Sequence, residues 1–400
     1  MARPGDEPLS APESSALIDP QTASAEIDLT ALADNVRALA DLVAPAELMV
    51  VVKADAYGHG MIPCAEAART AGATWLGVAT IGEACALRAA GDSGRVFCWL
   101  FGEDEDLVRP IALGIDVAVH HPAQLSRVVA AAATAGAPAR VHLKIDTGLS
   151  RNGCPPELWD DLCSDAATAV ESGAVEIVAV WSHFASSDEP DHPANERQLA
   201  VFEAAVARAR AAGLTVPIRH IANSAAALRM PTARFELVRV GIAAYGVDPA
   251  DGDLAEQAGV RLQPVMRLRA QLLATRAVAA GAAVSYGHRW AARDATVLGL
   301  VPLGYADGIP RAGSGWGTDQ GTSVEVDGRW VPVVGTVCMD QFVVDLGPGS
   351  REEVGDDVTL FGGAGAPSAS DWARVCRTIG YEIVTRIGAR VPRRYSGGAR

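Results

Sequence analysis

Between residues 48 and 240 the chain repeats one pattern eight times: a short run rich in β-branched and aromatic residues, then an Ala-rich segment with helical spacing. The runs are 48–53 (LMVVVK), 75–79 (WLGVA), 95–100 (RVFCWL), 115–119 (IDVAV), 140–146 (RVHLKID), 175–183 (VEIVAVWSH), 217–221 (PIRHI) and 236–240 (ELVRV). Near-continuous apolar strands joined by helical crossovers, such as 122–135 and 195–212, imply a parallel sheet covered on both faces. Eight units of this kind close most naturally into a barrel, so the spacing predicts a (β/α)8 TIM-type domain over 25–247.

The pattern changes at a linker holding Asp248, Pro249, Asp251, Gly252 and Asp253. Beyond it, runs at 263–279, 296–303, 323–327, 331–338 and 341–346 are broken by Gly, Pro and Asp with little helical spacing, which predicts a mainly antiparallel β domain over 248–400. The early segment 25–29 (AEIDL) is strand-like, precedes a helix starting near Thr30, and could pair with that β domain from the other end of the chain. Residues 1–24, with Pro4, Gly5, Pro8, Pro12 and several Ser and acidic side chains, read as a disordered tail and not as a secretion signal.

Composition narrows the function classes. A formal charge of −14 disfavours nucleic acid, whose phosphates call for dense Lys and Arg. No apolar stretch reaches the roughly 18 residues of a membrane span. The seven cysteines contain no Cys-x-x-Cys pair and sit mostly in apolar runs, as reduced thiols of a cytoplasmic protein do. The eight histidines show no zinc-type spacing, so no metal is expected.

Only two of the 34 basic residues are lysine, Lys53 and Lys144. A solvated surface accepts either cation, but condensation with an aldehyde needs a primary amine that can lose its proton, which a guanidinium cannot do. Both lysines fall at or near the carboxyl ends of predicted barrel strands, the face on which barrel active sites are built. Arg151 follows the fifth run, His183 ends the sixth, Asn223 and Ser224 follow the seventh, and Arg239 with Gly241 ends the eighth. Taken singly, His183 reads as a core histidine and Asn223-Ser224 as a helix cap; their convergence on one face suggests a site. Barrels often bind phosphate at the loops after strands seven and eight, where Ser224 and Gly241-Ile242 lie. An amine on the first strand and a phosphate seat at the last two are the anchors that pyridoxal 5'-phosphate needs.

At this point the chain resembles the alanine racemase family. VVKADAYGHG (51–60) is similar to that family's cofactor-lysine signature. IDTGLSRNG (145–153), WSHFA (181–185), ANSAA (222–226), VRVGIAAYG (238–246), VSYGHRW (284–290), PLGYADG (302–308), GTVCMDQF (335–342) and ARVPRRY (389–395) follow in family order. The resemblance implies a pyridoxal-phosphate enzyme interconverting L- and D-alanine for cell-wall peptidoglycan, built as an obligate homodimer with shared active sites. It implies that Lys53 carries the cofactor and that Tyr57, Asn223, Ser224, Gly241 and Ile242 belong to its binding site. Arg239 would face the ring nitrogen and Arg151 the phenolic oxygen. Tyr286 from the partner subunit would be the base on the opposite face, supported by His183, with Tyr305, Met339 and Asp340 narrowing the substrate pocket. Lys144 would be carbamylated and orient Arg151.

One position departs from the pattern: the tyrosine that many members carry before Arg-Val-Pro-Arg is Ala389 here. A racemase of serine or broader range is therefore an alternative. A barrel decarboxylase would pair the ring nitrogen with an acid and use a late cysteine donor, and a non-catalytic cofactor carrier would lack the second domain.

Overall fold

A computed structural model describes residues 18–189, 191–250, 252–317 and 321–398. Of the segment read as a tail, residues 1–17 lie outside the described residues, whereas Ala23 and Ser24 already belong to the first strand, β1 (Ala23–Asp28). Asp28 ends that strand and caps the helix Leu29–Val43, its carboxylate accepting from the Thr30 and Ala31 N–H groups at 2.8 and 3.1 Å.

The eight expected runs are eight parallel strands: β2 (Glu47–Val51), β3 (Trp75–Thr80), β4 (Arg95–Leu100), β5 (Asp116–Val119), β6 (Ala139–Lys144), β7 (Val175–Trp181), β8 (Ile218–His220) and β9 (Leu237–Val240). They form one sheet in the order β8-β7-β6-β5-β4-β3-β2-β9, with the first barrel strand β2 pairing with the last, β9. No ladder joins β8 to β9 among the described residues, so the barrel is nearly closed. That seam is bridged instead by Arg239 N donating to Ala222 O at 3.0 Å and by the Arg219–Glu236 ion pair. The crossover helices form where sequence signals place them. Pro122 opens Pro122–Ala135 and Gly136, at φ +67°, closes it.

Alternation along each strand sends every second side chain into the barrel. In register these include Met49 beside Trp75, Gly77 beside Phe97, Phe97 beside Asp116, Ala118 beside His142, Lys144 beside Trp181, and Trp181 beside His220. A Cβ at Gly77 would lie 2.8 Å from the Met49 sulfur and 3.1 Å from the Trp99 ring, so a larger residue there would have to displace Met49. The interior thus holds aromatic and ionisable side chains where barrels of this kind usually stack Val, Ile and Leu.

The second domain is a nine-stranded sheet that includes β1, which pairs antiparallel with Met266–Gln271 and parallel with Arg393–Ser396. All its other pairings are antiparallel. The sequence reading missed the strand Asp357–Phe361 and two helices, Ala369–Cys376 and Gly380–Thr385. The first helix had a readable signal, the reciprocal cap between Ser368 and Asp371. The second packs on the segment after β2: a Cβ at Gly58 would lie 2.7 Å from Val384 O. This contact brings Tyr381 to the mouth of the barrel.

Candidate active site

Lys53 stands two residues beyond β2, at the start of a turn with an uncommon backbone. Ala54, Asp55, Ala56 and Tyr57 all have φ between 52° and 55°, a left-handed helical turn made without glycine. Each such residue costs about 1–2 kcal/mol, so the turn persists only because its surroundings hold it. Glu83 accepts from Ala54 N at 2.7 Å, and the Asp55 carboxylate accepts from Met61 N at 2.7 Å. Lys53 and Tyr57, at the two ends of this turn, both line one cavity.

A cavity of about 290 Å³ opens there, near the lower end of the roughly 300–1,000 Å³ of small-molecule pockets. Lys53, Lys144, Arg151 and Arg239 bring four basic side chains to it, and no carboxylate lines it among the described residues. Tyr57, His183, Asn223, Ser224, Gly241 and Ile242 complete the expected group. The structure adds Trp99, Trp181, Val51 and Tyr381, which the sequence reading did not single out. Trp181 lies under both Lys144 and Arg239, at 4.3 and 5.0 Å from ring centre to cation.

At one edge, Asn223 caps the short helix Ser224–Arg229, accepting from Ala226 N at 3.0 Å. The Ser224 hydroxyl accepts from Gly241 N at 3.0 Å and Ala243 N at 3.5 Å. Tyr57 presses its hydroxyl on Gly241, where an added Cβ would lie 2.2 Å away. At the floor, Arg239 donates to Ser182 O at 2.8 Å and Ile221 O at 3.1 Å, and approaches His183 Nδ1 at 3.2 Å.

Burial and crowding of like charges shape the titrations. Burial, then the positive field of Arg151 and Arg239, pulls Lys53 below the usual amine range against an opposing pull from Glu83. Burial, Arg239 and Arg151 bring Lys144 down to about 7. The same causes hold His183 well below the ordinary imidazole range, hence neutral. Burial draws Arg239 down to about 9, leaving its guanidinium charged at neutral pH.

Tyr286, Tyr305, Met339 and Asp340 do not line this cavity. They lie in the second domain on three loops knitted together by hydrogen bonds. Ser285 Oγ donates to Thr336 O at 2.6 Å, Thr336 Oγ1 to Tyr286 O at 3.1 Å, Tyr305 N to Cys338 O at 3.0 Å and Ala306 N to Met339 O at 2.9 Å. Tyr286 is 74% exposed and Met339 53%, while Asp340 pairs with Arg390 at 2.8 Å. Ala389 is exposed and likewise lies outside the cavity.

Comparison with known proteins gives this arrangement a context. The alanine racemase N-terminal domain family matches residues 27–249, and the alanine racemase C-terminal domain family matches 265–395. The alanine racemase of Streptomyces coelicolor is 51% identical over 380 residues, covering 93% of this chain and 95% of its own. The crystal structure of alanine racemase from the D-cycloserine producer Streptomyces lavendulae superposes with a TM-score of 0.91 at 49% identity, covering 96% of this chain and 99% of its own. That of the Bartonella henselae alanine racemase, which has covalently bound pyridoxal phosphate, superposes at 0.83 with 30% identity, covering 94% of this chain and 99% of its own. With both domains matched in order and the barrel site intact, the chain belongs to the alanine racemase family.

Proposed function

We propose that the protein interconverts L- and D-alanine with pyridoxal 5'-phosphate, using Lys53 on one face of the substrate and Tyr286 of the partner subunit on the other. The observation that carries this reading is the enclosed cavity with a lysine of lowered basicity, three further basic side chains and, among the described residues, no carboxylate. The cofactor fits those residues: it is anionic and carries an aldehyde for one amine. Lys53 would hold it covalently. Tyr57, Asn223, Ser224, Gly241 and Ile242 would seat the phosphate, with Arg239 at the ring nitrogen and Arg151 at the phenolic oxygen.

When bound, the cofactor supplies an electron sink that acidifies the α-hydrogen of an attached amino acid. Inversion then needs a proton acceptor on one face and a donor on the other. Lys53, its amine made less basic by burial and by Arg151, is suited to move a proton at its Nζ. Among the described residues only Tyr381 reaches the cavity from the second domain, whereas Tyr286 is exposed on a patch with Met339 and Tyr305. A second copy placing that patch over the cavity would supply the opposite face, which makes a homodimer with shared sites the natural assembly. Arg239 donates hydrogen bonds without yielding a proton, so charge delocalised into the ring stays limited and prompt reprotonation is favoured over transamination.

The test is to follow L-to-D conversion of alanine and serine by the purified protein and to trap the bound cofactor with borohydride. Alanine inversion with label on the Lys53 peptide is expected. Carbon dioxide release without inversion would replace this reading with a decarboxylase.

A further inference from the structure

The barrel interior carries a line of hydrogen-bonded side chains that the reaction just proposed does not use. It begins at the carboxylate of Asp116, fully buried at the amino-terminal end of β5, on the face away from the cavity. His142 Nε2 lies 3.1 Å from Asp116 Oδ2, His142 Nδ1 lies 2.9 Å from His220 Nε2, and His220 Nδ1 lies 2.9 Å from an Arg239 terminal nitrogen. The line therefore crosses the barrel from one end to the other.

Its polarity follows from its ends. A guanidinium can only donate and a carboxylate can only accept. Arg239 must donate to His220 Nδ1, so the proton of that ring sits on Nε2 and is donated to His142 Nδ1. The proton of His142 must then also sit on Nε2, donated to Asp116. Both imidazoles are neutral in the same tautomer, in keeping with the downward pull of burial on each. The ring planes are held as well: His142 stacks on Phe97 at 4.1 Å and 17°, and His220 on Trp181 at 5.5 Å and 10°. The Asp116 carboxylate is also paired with Arg140 at 2.6 Å and Arg95 at 3.1 Å.

We propose that Asp116, His142 and His220 form a one-directional relay that holds Arg239 as an oriented, cationic donor toward the cofactor's ring nitrogen, making Asp116 a positioning residue on the far side of the barrel. The inference rests on the reading of Arg239 given under the proposed function. A buried network with every member satisfied is stiff, and its low-dielectric surroundings strengthen each link. Removing the anion leaves His142 Nε2 without a fixed acceptor, so the polarity of both rings rests on Arg239 alone, and loosens the one side chain that meets the ring nitrogen.

Nitrogen NMR of the holoenzyme should show His142 and His220 both protonated at Nε2 alone; either ring protonated at Nδ1 or at both nitrogens overturns the relay. Asp116→Asn and His220→Leu should lower kcat about tenfold, the lower end of what outer partners of a site group contribute, with KM changed less than about twofold. Both should shift the cofactor's absorbance band and raise the transamination side product. His220→Gln, which can accept from Arg239 and donate to His142, should restore the band and the product ratio. Wild-type spectra and product ratios in folded Asp116→Asn and His220→Leu would refute the proposal, and His220→Leu alone decides if Asp116→Asn does not fold. A wild-type protein that shows the expected tautomers but neither binds the cofactor nor inverts alanine would instead refute the functional reading.

Discussion

The two ends of the proposed site differ in how finished they are. The barrel end is enclosed, with Arg239 5% and Lys144 5% exposed and held by hydrogen bonds or aromatic faces, so its geometry is set within one chain. The second-domain end has firm loop backbones but exposed functional side chains, Tyr286 and Met339 above all. Preorganising cations against one another requires a buried interior, whereas in the proposed reaction the proton carrier for the opposite face would come from a second copy. The difference teaches that folding within one chain completes the barrel half-site and leaves the second-domain side chains exposed.

The largest effect should come from splitting the halves between chains. Lys53→Ala and Tyr286→Ala should each lose about 10²–10⁴-fold in racemisation, the usual worth of a positioned proton carrier. Mixing the two after dissociation and reassociation should recover about one quarter of wild-type activity, because half the dimers are mixed and each has one intact site. Recovery of nothing, with mixed dimers shown to form, would mean that both residues act within one chain and would remove the contrast.

Arg239→Glu probes the enclosed end alone. An acid at that position can protonate the ring nitrogen, so the fraction of turnovers ending in transamination should rise about tenfold, equivalent to ~1.4 kcal/mol between the two outcomes. An unchanged ratio, measured by release of the aminated cofactor, would place Arg239 elsewhere in the chemistry.

The smallest effect belongs to Lys144, whose amine titrates near 7 in the folded protein against an ordinary 10.5. Between those values the unfolded chain holds a proton that the folded chain has lost, so this group's contribution to stability rises with pH across the window. The melting temperature of cofactor-free wild type, relative to Lys144→Met, should therefore climb by about 5 degrees as pH is raised through that window. A neutral amine near pH 7 is also the form that carbamylation of Lys144 requires. A flat difference curve would mean that neither burial nor the neighbouring arginines lower the Lys144 amine.

Much of the barrel was legible because its signal is local. Parallel strands buried on both faces spell themselves as apolar runs, and all eight lie within a residue or two of the expected spans. Lys53 and Lys144 stood out by rarity, and Ser224 and Gly241 by their place after strands. The helices Ala369–Cys376 and Gly380–Thr385 were missed because the Gly- and Pro-rich surroundings of the second domain mask short helical periods. Tyr381 was missed for the same reason. The relay had a faint signal: Arg140, His142 and Lys144 alternate along one strand face, as do Phe97 and Trp99 on another.

The sequence by itself determined the barrel's strand count, the change from barrel to β architecture and the chemical types gathered at the strand ends, because these follow from short-range periodicity and from residue chemistry. Only the tertiary structure decided that Asp116, His142, His220 and Arg239, drawn from four strands, meet in one line, and that Tyr286 faces solvent while Tyr381 faces the cavity. The physical reason is barrel closure: it sets the register between strands far apart in the chain, and no local pattern records which inward side chains will touch.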